Sequence, residues 1–216
     1  MTRKRTSPIR AVLRFAASVM MVSGVLLIAD AGLTLAWQEP ISAYLAAQDQ
    51  TALKHQFLKL PASKVRKHRA QLKGDAIAKI ELPTIHQTSY VVEGTGTGDL
   101  RKGPGHYPDT PLPGEHGTVA IAGHRTTYGA PFRHIDSIKN GDRITIAMPD
   151  GTFIYRVYKT KIVDASALWV KRRVGFDQLI LSACHPLHSA AQRIVVFARL
   201  QREGVPEQYP HASASS

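Results

Sequence analysis

The sequence predicts a mainly β domain, a closed or nearly closed barrel of about seven or eight strands with short helices, preceded by an apolar N-terminal helix and a helical linker. Three observations carry this. A long apolar run stands near the N-terminus behind a group of basic residues. Gln38 to Gly74 is rich in Ala, Gln, Lys and His and poor in β-branched residues. From Ala76 onward, short β-rich runs alternate with Gly and Pro and show little helical periodicity. An apolar content of 44% is that of a globular chain and excludes wholesale disorder.

Residues 1–14 form a basic cytoplasmic tail carrying Arg3, Lys4, Arg5, Arg10 and Arg14. Residues 15–37, Phe15 to Trp37, are the signal-anchor. Basic residues before an apolar run orient the N-terminus inward and the following domain outward. Ala29-Asp30-Ala31 resembles a small-residue cleavage site. Against cleavage, Ala11–Ala29 rises about 28 Å at about 1.5 Å per residue, close to a hydrocarbon core of roughly 30 Å. An uncleaved single-pass anchor in the cell membrane is expected, with the N-terminus cytoplasmic and the following domain extracellular.

Residues 38–75 read as a helical basic linker broken at Pro61. The stretch from Lys54 through Lys59, Lys64, Arg66, Lys67 and Arg69 to Lys73 contains no acid, which suits anionic head groups or wall polymers, or simply a solvated face. Residues 76–203 supply the barrel. Strands are expected over Ala76–Leu82, Ser89–Val92, Thr118–Ala122, Arg143–Ala147, Thr152–Ile162, Gln178–Ser182 and Ile194–Leu200. Glu93-Gly94, Asn140-Gly141-Asp142 and Pro149-Asp150-Gly151 punctuate them. Pro131–Ile138 is expected as one short helix. Gly94–Gly98 imitates a phosphate loop, but no Lys-Ser/Thr follows, so it reads as a β-turn. Residues 204–216 form a polar tail, expected to be disordered.

The formal charge of +12 raises nucleic acid as a partner. The basic residues of the tail and linker form no reading surface, so no nucleic acid is expected. The chemistry gathers elsewhere. Cys184 is the single cysteine of a chain that looks exported, so it has no disulfide partner within the chain. It ends a strand-like run before a Pro-containing turn, where a side chain reaches the rim of a sheet. A thiolate nucleophile needs a base and an oxyanion donor. Among ten histidines, His124 follows the strand Thr118–Ala122 behind a glycine, at the same rim. Arg193 opens the last strand, and a hairpin from Cys184 returns it there. Its guanidinium is permanently charged and forked, suited to an oxyanion. Each also has a plainer reading: a small buried thiol, a solvated loop histidine, a surface strand arginine.

Cys184, His185 and His188 lack the spacing of a zinc site, and Asp109, Glu115 and Asp136 are scattered, so no metal and no cofactor is expected. Three functions stay open from the residues alone. They are a transpeptidase, a thiol hydrolase or protease on the same scaffold, and a non-catalytic membrane-tethered β-module.

The motifs narrow this. Val92-Glu-Gly-Thr, Leu100-Arg-Lys-Gly-Pro-Gly-His-Tyr-Pro108, Val119-Ala-Ile-Ala-Gly-His-Arg-Thr-Thr-Tyr-Gly-Ala-Pro-Phe132, Gly141-Asp142 and the stretch from Cys184-His-Pro through Arg193-Ile-Val-Val-Phe-Ala-Arg carry a resemblance. Over about Ile80 to Leu200 the chain resembles the sortases, membrane-anchored cysteine transpeptidases, and most resembles class E of actinobacteria. The resemblance implies a sortase-type barrel with His124, Cys184 and Arg193 as catalytic triad. It implies cleavage of a Leu-Ala-x-Thr-Gly-like motif of secreted proteins between Thr and Gly. The acyl group then passes to an amine of a peptidoglycan precursor or a pilin. Tyr107 is the candidate for reading the Ala of the motif, with Ser182 and Ala183 as further substrate-binding positions. One departure stands out: the family commonly has Thr-Leu-x-Thr-Cys, where this chain has Ile180-Leu-Ser-Ala-Cys184.

Overall fold

A computed structural model describes residues 8–36 and 40–204. Of the tail expected to be disordered, Gly204 instead ends the last strand, paired with Thr152; the rest, together with Arg3, Lys4, Arg5 and Trp37, lies outside the described residues. The chain divides into two compact units, Met1–Pro40 and Ile41–Ser216.

The first unit holds α1 (Pro8–Ala36). Its segment Ile9–Leu33 is long and apolar enough to cross a membrane. Apolar side chains from Ile9 to Leu33 are exposed around the helix, the pattern of a segment whose proper solvent is hydrocarbon.

In the second unit α2 (Pro40–Leu58) and α3 (Ala62–Lys67) are separated at Pro61, as the sequence predicts. A proline removes a backbone donor and disfavours helix in the residue before it. A 3-10 turn, Arg69–Leu72, follows. These helices are fastened to the barrel. Leu53 and Phe57 cluster with Ala76 and Val92, and Phe57 lies against Tyr90 with ring centroids 5.5 Å apart. Arg66 reaches Asp150 at 2.7 Å and Glu115 at 3.4 Å. Arg69 bonds the carbonyls of Pro108 and Thr110 at 2.7 and 2.9 Å. Part of the acid-free basic stretch therefore binds the protein's own carboxylates and carbonyls.

The barrel strands are β1 (Ala76–Leu82), β2 (Gln87–Glu93), β3 (Gly105–His106), β4 (Thr118–Ala122), β5 (Arg143–Met148), β6 (Gly151–Asp164), β7 (Gln178–His185) and β8 (Gln192–Gly204). They close in the order β1-β2-β3-β4-β7-β8-β6-β5. The pairs β2–β3 and β4–β7 are parallel and the others antiparallel. The expected closed β-barrel is what forms. Alternation gives the wall two faces. Val119, Ile121, Leu179, Leu181, Ala183, Ile194, Val196 and Ala198 point into the main core. Ala120, Ile180, Val195 and Phe197 point outward into a smaller cluster with Tyr107, Val163 and Val170.

Two short elements differ from expectation. Gly94–Gly98 is no simple β-turn, because α4 (Thr97–Lys102) begins inside it. The Asp99 carboxylate accepts the Gly96 N–H at 3.1 Å, so an acid in the first turn supplies the cap that the glycines lack. Pro131–Ile138 is not a helix either. It is a set of turns with a single 3-10 turn at Ile135–Ser137, held by Ala130, Phe132 and His134 carbonyls.

Candidate active site

Cys184 lies near the end of β7, directly opposite Arg193 at the start of β8. Opposed residues project from one face with Cβ atoms about 5 Å apart. Both fall on the outer face by alternation, Cys184 with Ile180 and Ser182, Arg193 with Val195 and Phe197. Cys184 is half-buried.

His124 arrives from the other neighbour of β7. Strands β4 and β7 run parallel, Ala122 pairs with Ser182, and the Gly123 N–H donates to the Ser182 carbonyl at 3.0 Å. Continuing that register two residues brings His124 level with Cys184 on the same face. Gly123 is required for the approach. A Cβ there would lie 2.5 Å from the ring of Phe132, whose own N–H bonds the His124 carbonyl at 3.0 Å. The two parallel strands thus end side by side, and the antiparallel β8 supplies the cation across from the thiol.

The imidazole is half-buried, and its Nε2 is buried without a hydrogen bond. Burial, and secondarily the positive charge of Arg101, hold its pKa below the ordinary value of 6.5. Such a ring is neutral at neutral pH and able to accept a proton. The rings of His124 and Tyr128 lie with centroids 5.1 Å apart, tilted by 48°. Arg193 donates through Nη1 to the carbonyls of Ala190 and Gln192, both at 2.9 Å, which pins it to the rim.

Beside Arg193 runs a narrow groove lined by Tyr107, Val163, Leu168, Val170, Ser182 and Val195. Its cover is the segment between β6 and β7, which contains a 3-10 turn at Leu168–Lys171. Of the residues expected to bind substrate, Tyr107 and Ser182 line this groove. Ala183 does not: it is 3% exposed and belongs to the interior cluster with Leu179 and Leu181, because the pleat turns it away from its neighbours. The family's second threonine position is thus an inward-facing one here, and alanine fills it as core.

The loop carrying Tyr107 is firmly built. His106 places Nδ1 2.8 Å from Glu93 and Nε2 2.9 Å from the Pro111 carbonyl. Arg69 reaches the other oxygen of Glu93 at 3.3 Å. The Tyr107 N–H bonds the Ala120 carbonyl at 3.0 Å. Lys171 stands 4.7 Å over the Tyr107 ring and 2.6 Å from Asp109. That bond holds the Asp109 carboxyl below its usual range. Asp109, Glu115 and Asp136, weighed together as a cation site, each face a basic side chain instead: Lys171, Arg66 and Arg125.

Sequence reasoning missed three residues. Arg125 is only 3% exposed, yet its guanidinium joins Asp136 at 2.6 Å and His185 at 3.3 Å, linking the neighbours of His124 and Cys184. Tyr128 packs on His124, and Arg101 stands over Tyr128 at 5.5 Å. Arg125 and Tyr128 fall within the Gly-His-Arg-Thr-Thr-Tyr-Gly run, and closeness in sequence to His124 was the signal that could have found them.

Comparison with known proteins places the domain in a family. Residues 80–201 match the family model described as Sortase domain. Sortase D of Bacillus subtilis is 34% identical over 142 residues, covering 62% of this chain and 69% of that protein. Sortase SrtE1 of Streptomyces coelicolor is 27% identical over 146 residues, covering 60% of this chain and 42% of that protein. Among solved structures, a Clostridium perfringens Sortase D5 transpeptidase superposes with a TM-score of 0.63 at 26% identity, covering 74% of this chain and 99% of that one. Sortase E from Streptomyces avermitilis gives 0.56 at 30% identity, covering 61% and 91%. The likeness extends to classes D and E alike.

Proposed function

The chain belongs to the sortase family of cysteine transpeptidases, and from that premise we propose that Cys184, His124 and Arg193 catalyse transfer of a Leu-Ala-x-Thr-Gly-like sorting motif to an amine. The observation that supports this most is the register: Arg193 directly opposite Cys184, and His124 level with it from the parallel neighbour.

Cys184 Sγ attacks the Thr carbonyl while its proton passes to His124. The carbonyl oxygen gains charge as the tetrahedral centre forms, and the Arg193 fork stabilises it. The Thr–Gly C–N bond breaks, and His124 gives the proton to the departing Gly amine. A thioester remains on Cys184. The incoming amine attacks it, loses a proton to His124 and forms the new amide, and the proton returns to Cys184 as the C–S bond breaks. The lowered pKa of His124 suits the accepting step.

The motif lies in the groove beside Arg193. Ile180 and Val195 lie in its apolar cluster with Tyr107 and Val170, and Ser182 contributes a hydroxyl. The Tyr107 phenol bonds the N–H that an Ala, unlike a Pro, presents. Substrates are secreted proteins carrying the motif near the C-terminus, and acceptors are peptidoglycan precursor or pilin amines. The helix α1 anchors the chain in the cell membrane, N-terminus inside. A Sortase E1 from Streptomyces coelicolor, 26% identical to this chain, has been solved with a tripeptide in its active site, in keeping with a peptide as ligand.

The test is a single-thiol experiment. A vinyl sulfone or methanethiosulfonate should modify Cys184 alone and abolish both cleavage of a Leu-Ala-x-Thr-Gly peptide and its ligation to added triglycine. Labelled protein that still ligates would end the reading. Cleavage that triglycine neither accelerates nor diverts into ligated product would make the protein a hydrolase instead.

A further inference from the structure

A catalytic histidine is commonly oriented by a hydrogen bond to its second ring nitrogen. His124 has none: among the described residues its ring makes no hydrogen bond, and it packs on the ring of Tyr128. Packing must therefore orient it, and the segment that supplies the packing is unusual. Tyr128, Gly129 and Ala130 all lie in the left-handed region, with φ of 52°, 73° and 41°. Glycine takes that conformation readily, tyrosine and alanine do not. Strained backbone of this kind persists only where its surroundings impose it.

The surroundings are α2. The Tyr128 N–H donates to Ser42 Oγ at 3.2 Å, and Ser42 is buried. The Ala46 Cβ lies 3.4 Å from where a Gly129 side chain would begin. One turn further on, the Gln50 amide donates to the Lys102 carbonyl at 2.8 Å, at the end of the helix that carries Arg101. Ser42, Ala46 and Gln50 are spaced by four, so they form one stripe along the helix. That stripe supports both groups that flank His124: Tyr128 against its ring, and Arg101 above Tyr128.

We propose that Tyr128, clamped by Ser42 of α2, is the positioning residue for His124, so that the helix immediately after the anchor is a working part of the active site. The tyrosine touches no reacting atom. It holds the imidazole at the rim, level with Cys184 on the same face. The inference rests on His124 being the base.

Asparagine separates the ring from the backbone. It tolerates the left-handed region far better than tyrosine, so Tyr128→Asn keeps or improves the loop while removing the packing surface. In the full chain, solubilised in detergent, Tyr128→Asn should leave the melting temperature unchanged or raised. It should lower kcat for peptide transfer roughly 10-fold or more, because a misplaced base loses part of its catalytic factor. KM should stay within about twofold, since the groove is untouched. Tyr128→Phe should restore kcat, because the ring and not the hydroxyl makes the contact. Ser42→Ala should lower kcat by about 2- to 5-fold, the scale of one ordinary hydrogen bond. It should add nothing in a Tyr128→Asn background. Wild-type kcat in Tyr128→Asn beside an inactive His124→Ala would overturn the positioning role alone. An active His124→Ala would overturn both it and the base assignment. A loss in Tyr128→Phe equal to that in Tyr128→Asn would also sink the proposal, since the ring would then not be what matters.

Discussion

Two histidines sit at the ends of neighbouring strands and are used in opposite ways. His106, at the end of β3, is 1% exposed and saturated, with Nδ1 on Glu93 and Nε2 on the Pro111 carbonyl. His124, just beyond β4, is half-buried and keeps its Nε2 unbonded. A buried polar atom with all partners in place is structure, because moving it costs every bond at once. One left without partners carries a desolvation cost that folding alone does not explain. The difference teaches where stability was given up for reactivity. Histidine by histidine, the barrel separates the residue that builds the Tyr107 loop from the residue proposed to move protons.

Three perturbations break or sharpen the contrast. The largest effect is expected on the rate. His124→Ala should lower kcat/KM by about 10² to 10⁴, the usual worth of a positioned acid–base group. Its melting temperature should hardly move, since no hydrogen bond to the ring is lost. A fall of less than threefold would shift the base role to another residue.

His106→Ala should do the reverse. It leaves the Glu93 carboxylate, 2% exposed, with Arg69 as its remaining charged partner. Removing one member of a buried pair costs about 3–5 kcal/mol, and the surviving Arg69 contact places this case at the low end. Chemical denaturation should show it as a lower midpoint with an unchanged slope. Where the protein stays folded, kcat should suffer less than in His124→Ala. If both variants show the same ratio of rate loss to stability loss, the contrast is wrong.

The smallest effect concerns pH. Neutral His124 is the form that accepts the Cys184 proton, so the acid limb of kcat/KM should lie below the ordinary imidazole value of 6.5. The limb reports the coupled thiol–imidazole pair. Burial is the main cause, and Arg101 adds to it by opposing a second positive charge. Arg101→Gln removes that opposition, eases protonation, and should move the acid limb to higher pH. Arg101 is exposed, so about 1 M salt should produce part of the same shift in the unmodified protein. A limb that moves down, or ignores salt, would show that Arg101 does not act on His124 through charge.

The barrel and the three rim residues were legible in the sequence for different reasons. Period-two alternation between Gly and Pro punctuation marks strands of ordinary length, and it located β1, β4, β5, β6 and β7 well. It could not mark β3, which is two residues long and has no period. Helix α4 was hidden by three glycines, and only Asp99 betrayed its start. The docking of α2 was hidden because its contact face uses Ala46 and Gln50 ahead of a single Leu53–Phe57 pair, too weak an apolar stripe to read. Ala183 was misjudged for a geometric reason: adjacency to Cys184 in sequence means the opposite face in a strand. Arg125 and Tyr128 stood close to His124 in sequence, but their partners Asp136, His185 and Ser42 are brought to them only by the fold.

The pairing of β4 with β7 joins segments sixty residues apart in the chain, as the bond between Thr118 and Gln178 records. Contacts so remote form late, since a long loop must be closed before they are made. The last strand, β8, lies between β7 and β6, so the wall cannot close before nearly the whole domain has been synthesised. Until then Cys184 has neither His124 nor Arg193 beside it. On the proposed assignment the nascent polypeptide is therefore a latent enzyme, whose nucleophile gains its base and its cation only when the wall closes. Topology itself would then set the moment of activation.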